Sequence, residues 1–217
     1  MQHLNMDAIS YNRVSHPNIT IDIYGQPRII DGKRGGAVNL DGNSQFVSLG
    51  NQHESCLGNL DLCRHGLLMS TWVRPGQLRE GMDIFSSGAN GIKAWYAGGR
   101  LRVSARTLTR EWSLETDKIV GNEWQFVEFA WDPVDGLSLY INEQLVAQSS
   151  QPSVRLASDV TAAHPDREKF YIGRGDGSRS NARYANMTID DVEYWYNNRK
   201  YLLAFDYIQR GLCEPVE

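Results

Sequence analysis

An all-β sandwich or jelly roll with one short C-terminal helix is the fold class that this sequence predicts, and two observations carry its β character. Short runs of β-branched, aromatic and aliphatic residues recur along the chain, with turn signals roughly every 8–12 residues. Trp124 to Ala147 reads as an antiparallel meander. Its three extended runs are divided by Asp132-Pro133-Val134-Asp135-Gly136, where proline presets φ and glycine accepts a positive one, and by Asn142-Glu143, which is hairpin spacing. Helix-compatible spacing is found at Leu202, Leu203, Phe205 and Ile208, which predicts one short closing helix over 199–210.

The elements follow in order. Ile19, Ile21 and Ile23 alternate and predict a first strand, and Gly32-Lys-Arg-Gly35-Gly36 is a turn cluster. Ala37-Val-Asn-Leu40 and Gln45-Phe-Val-Ser-Leu49 are short strands around the turn Asp41-Gly42-Asn43. Leu67 to Val73 is an apolar run stopped by Arg74-Pro75-Gly76 and predicts a well-buried strand. Asp83–Ser87, Ile92–Tyr96, Arg100–Ala105 and Arg110–Leu114 continue the series between glycine turns. In the meander, Val127, Phe129 and Trp131 share one parity and Leu137, Leu139 and Ile141 another. These sets are expected to meet in the core, with Glu128 and Tyr140 facing outward. Ser149 to Lys169 is the longest gap and predicts a long loop, the place where function is to be sought. Phe170–Ile172 and Met187–Trp195 are the last clear strands. No linker interrupts the pattern, so residues 1–217 read as one domain.

Charge and cysteine usage narrow the partners and the compartment. A formal charge of −4 gives no reason to expect a nucleic-acid partner. No apolar run reaches the ~20 residues that cross a bilayer, so this segment is not expected to insert in a membrane. The first residues lack the pattern of a signal peptide, and an internal domain of a longer protein would look the same. Cys56 and Cys63 enclose a short polar loop with no second Cys/His pair nearby for zinc, which suits a disulfide. Sequons at Asn18 and Asn186 point the same way as glycosylation sites, and together they favour an extracellular, oxidising setting. Cys213 is the odd cysteine. Arg100, Arg102, Arg106 and Arg110 share parity and read as a solvated strand face, the alternative being a patch for an anionic glycan.

Gly36 to Leu49, Leu68-Met-Ser-Thr-Trp-Val-Arg-Pro75, Trp124 to Trp131, Leu139-Tyr-Ile-Asn142, Phe170-Tyr-Ile-Gly173 and Ile189-Asp-Asp-Val192 fall in the order found in laminin G-like domains. The short Cys loop before a Ser-Thr-Trp strand also resembles the pentraxin-like branch. The resemblance spans roughly residues 20–210 and implies a concanavalin A-like jelly roll of two antiparallel sheets. It further implies an extracellular binding module, as in matrix proteins, adhesion molecules and cell-surface receptors, with a protein or glycan ligand at the rim loops or the concave sheet. Two positions depart from the pattern. Glu143 stands where the hairpin usually carries glycine, and Met187 stands where a glycine usually precedes Ile-Asp. By the same resemblance Asp190 is expected to ligate a structural Ca²⁺, with carbonyls near Asp41 and Gly42 as partners. An aspartate hydrogen-bonded to loop amides is the alternative.

Other chemistry is weakly signalled. Glu111, Glu115 and Asp117 share parity but match no glycosidase motif, no other catalytic motif is present, and the five histidines sit in polar loops. The expectation is a chain that is not an enzyme, the competing reading being a carbohydrate-binding appendage or carbohydrate-active enzyme on the same fold. Arg174-Gly175-Asp176 is an integrin-type tripeptide in what also reads as a plain glycine turn. Trp95, Tyr96, Trp112 and Tyr140 are candidate sugar platforms, with the core as the other destination for each.

Overall fold

The computed structural model describes residues 2–3, 21–87, 90–155, 169–175 and 184–195. In chain order the strands are β1 (Gln2–His3), β2 (Asp22–Tyr24), β3 (Arg28–Asp31), β4 (Gly36–Asp41), β5 (Phe46–Asn51) and β6 (Leu67–Pro75). Then come β7 (Met82–Ser86), β8 (Ile92–Ala97), β9 (Arg100–Arg106), β10 (Arg110–Thr116), β11 (Gln125–Asp132) and β12 (Gly136–Ile141). The series ends with β13 (Gln144–Ser149), β14 (Ser153–Val154), β15 (Lys169–Ile172) and β16 (Asn186–Trp195). A 3₁₀ turn at Leu60–Leu62 lies inside the cysteine loop.

These strands form two antiparallel sheets. The first runs β13-β12-β11-β6-β16-β4-β3, with β1 pairing the end of β16, and the second runs β14-β10-β9-β8-β7-β15-β5-β2. β4 and β5 flank the Asp41-Gly42 turn yet belong to different sheets, so this turn passes the chain from one layer to the other. The helix expected over 199–210, Cys213, Asn18 and most of the Ser149–Lys169 loop lie outside the described residues; within that loop β14 pairs with β10.

Alternation explains the core. Val127, Phe129 and Trp131 of β11 pair with Ile141, Leu139 and Leu137 of β12, and all six are buried. Trp131 meets Trp112 of the second sheet edge-to-face at 5.5 Å, and Phe129 meets Phe85 at 4.9 Å. One apolar cluster therefore joins the layers. The turn between β11 and β12 is built by Asp132, whose Oδ1 accepts from the amides of Val134 and Asp135 at 2.7 and 3.0 Å. Gly136 follows at φ +89, and a Cβ there would run into the Ser149 carbonyl.

Candidate functional site: a polar pocket on the outer face of the first sheet

Residues directly opposite in an antiparallel pair share a face, so the register assigns the outer surface of the first sheet row by row. One row runs Arg28, Asn39, Thr188, Arg74 across β3, β4, β16 and β6. The row beside it pairs Asp41 with Asn186. Another pairs Asp190, Trp72 and Phe126, and the Trp72 and Phe126 rings lie 5.2 Å apart.

Where the first two rows meet the β6 end, a pocket of about 260 Å³ opens. Its polar lining is Asn39, Arg74, Asn122, Asn186 and Thr188, closed by Pro75, Gly76 and Met187. Backbone bonds fix the wall: the Gly76 amide donates to the Asn186 carbonyl at 2.8 Å, and the Asn122 amide to the Pro75 carbonyl at 2.6 Å. The Asn186 carboxamide lies close over Gly76, so a Cβ there would displace Asn186 Oδ1 from its present position. Arg74 Nη2 donates to Thr188 Oγ1 at 3.4 Å, and its guanidinium carbon lies 5.1 Å from the centre of the Trp124 ring. Thr188 is 4% exposed and Arg74 and Trp124 are half-buried, so the group is held in place before any ligand arrives.

Asp190 has a different environment. It lies on the outer face yet is 0% exposed, because the Gly32–Gly35 turn folds over it. The Lys33 and Arg34 amides donate to its Oδ2 at 2.7 and 3.0 Å, and the Asp191 amide donates to its Oδ1 at 2.9 Å. A Cβ on Gly32 would overlap Oδ2. Lys33 Nζ sits 4.7 Å over Trp72, and Arg34 Nε lies 3.5 Å from Asp191 Oδ2. The residues expected to share a calcium ion do not fit one together. Asp41 and Gly42 sit beside Asn186, four residues from Asp190, or about 13 Å along a strand. N–H groups, which repel a cation, surround the Asp190 carboxylate instead. Among the described residues no group of three or more His, Cys, Asp or Glu is placed to hold a metal.

The remaining sequence candidates separate cleanly. Cys56 and Cys63 are joined, with Cα atoms 4.9 Å apart. Trp112 is in the core and Tyr96 packs against it, whereas Trp95 and Tyr140 are half-buried on outer faces. Arg100 and Arg102 pair with Glu115 at 2.7 and 3.4 Å and Arg106 with Glu111 at 2.9 Å, so these three lie on a solvated strand face beside their own carboxylates, whereas Arg110 shares the parity of Trp112 and Leu114 and does not join them. Arg174 lies against the Phe46 and Tyr171 rings, Gly175 is buried against Asp83, and Asp176 lies outside the described residues. Arg-Gly therefore does not form an exposed tip. Asn186, singled out for its sequon, is a wall of the pocket, so a glycan on its Nδ2 and a ligand would occupy the same space. Sequence reasoning missed Arg74, Trp124, Asn39, Asn122 and Thr188. The available signal was parity: Trp124 and Phe126 alternate with the core residues of β11, and Trp72 and Arg74 with those of β6.

Comparison with known proteins places this geometry. Residues 41–200 match a laminin G-type family described as the concanavalin A-like lectin/glucanases superfamily. The chain belongs to that family. No curated protein matches this concanavalin A-like chain in sequence. Among solved structures it resembles the binding domain of botulinum neurotoxin DC in complex with rat synaptotagmin II, at 12% identity and a TM-score of 0.58, covering 90% of this chain and 47% of that one. It likewise resembles the receptor binding domain of the botulinum neurotoxin C/D mosaic serotype (15%, TM-score 0.56, 89% and 46%). A third is the botulinum neurotoxin serotype D/C VPI 5993 binding domain (12%, TM-score 0.58, 90% and 48%). This concanavalin A-like chain thus spans about half the length of those chains, and the likeness is one of fold.

Proposed function

We propose that this chain is a non-catalytic extracellular recognition module of an adhesion or receptor ectodomain, and that it binds a glycan in the pocket beside Trp124. The observation that carries the reading is the lining itself. Carboxamides, a hydroxyl and a guanidinium converge on one concavity, the combination that hydrogen-bonds sugar hydroxyls, and the Trp124 ring lies against the guanidinium and supports it. The protein seen in complex with one structural neighbour supports recognition as the kind of work this fold does. The disulfide supports an oxidising compartment.

Glycosidase chemistry is the competing reading, since the family name includes glucanases. It needs two carboxyl groups about 5 to 9.5 Å apart across a sugar. On the outer face of the second sheet Glu111 and Glu115 are four residues apart, about 13 Å along β10. Each is tied to arginine, while Asp83 pairs with Lys93 at 3.4 Å. A glycan array on the purified domain tests the proposal. Specific retention of an oligosaccharide without turnover, lost at least tenfold in Trp124→Ala at an unchanged melting temperature, is the expected result. Release of reducing ends from the bound glycan would replace recognition with catalysis.

A further inference from the structure

Building on that reading, we infer that the pocket selects a sugar bearing a carboxylate, with Arg74 as the residue that reads it. The lining contains one cation and no carboxylate. Two acidic residues neighbour the site in the register: Asp190, one row along from Thr188, has both carboxylate oxygens taken by backbone amides at 2.7 to 3.0 Å, and Asp41 is turned back on its own loop, where Oδ1 accepts from the Asn43 amide at 2.9 Å. Arg74 has five N–H donors in a planar fork, and among the described residues one long bond to Thr188 is its protein hydrogen bond. Thr188 beneath and Trp124 alongside hold the plane of the fork, so little side-chain freedom is left to lose when an anion docks.

Asn39, Asn122 and Asn186 contribute carboxamides that both donate and accept, suited to the hydroxyls around the acid group. A guanidinium matches a carboxylate bidentately, and such a charge-assisted pair is about twice as strong as a neutral one. The site is small enough for one terminal residue, not for a polyanion, which accords with the chain's net charge of −4.

The test uses the domain produced without N-glycosylation, so that Asn186 is unmodified. Binding is measured by calorimetry to oligosaccharides ending in glucuronic acid or in a sialic acid, each beside its carboxyl-reduced neutral counterpart. The acidic member of at least one pair is expected to bind about 10- to 100-fold more tightly. That preference should vanish in Arg74→Gln and fall partway in Arg74→Lys, which keeps charge without the fork. Melting curves of both variants confirm that they are folded. Equal affinity for the acid and its reduced form overturns the carboxylate assignment and leaves glycan recognition standing. Binding only of sulfated sugars also overturns it, and binding of no glycan at all overturns both readings.

Discussion

At Asp190 the balance between desolvation and hydrogen bonding decides what a carboxylate does. Burying an unpaired carboxylate is prohibitive, yet three amide donors at 2.7, 3.0 and 2.9 Å replace its water shell. The carboxylate thereby fastens the Gly32–Gly35 turn onto β16. Asp190→Ala is expected to cost about 3 to 5 kcal/mol in urea denaturation, because it strands those donors, while Asp190→Asn should recover part of the loss. The same geometry predicts that neither calcium nor a chelator moves the melting temperature. A rise of several degrees on adding calcium would show that an ion does bind this fold.

Among the elements, the β12–β13 hairpin shows a local sequence rule overridden. Asn142 and Glu143 both take positive φ, +50 and +66, with Ile141 paired to Gln144, so the two-residue turn forms despite glutamate. Asn142 helps to hold it: its amide donates to the Phe126 carbonyl at 2.8 Å, and its Oδ1 accepts from the Phe126 amide at 2.9 Å. Replacing Glu143 with glycine should therefore raise stability by about 1 kcal/mol, read as a shift of the denaturation midpoint at constant m-value. Strands and core parity were legible because alternation is local: Val127, Phe129 and Trp131 announce themselves within five residues. The pocket was not, because it depends on a register between Arg74 and Thr188, 114 residues apart. Nor was the irregularity between Asp190 and Glu193, where Asp191 takes φ +46. Strict alternation sends Asp190 and Asp191 to opposite faces, whereas here both are buried, with Arg34 reaching Asp191.

For the whole molecule, a sheet sandwich dominated by distant pairings should fold slowly, in the millisecond-to-second range expected of such topologies. Nested truncations examined by limited proteolysis give a sharper test. A chain ending at residue 168 lacks β15 and β16 and should be digested rapidly, while one that includes Trp195 should resist. Resistance of the shorter chain would show that the sheets close without these strands.

That expectation follows from the position of β16 between β6 and β4, and of β15 between β7 and β5. Both strands are interior to their sheets although they are the last described in the chain, so on the ribosome each layer waits in two unequal parts. The flanking strands emerge first with unpaired inner edges, a template for mispairing with neighbouring chains. The cysteine loop can close earlier, since its partners are only seven residues apart. The pocket that Thr188 and Asn186 wall therefore comes into existence only when β16 pairs with β6 and β4 and completes the first sheet.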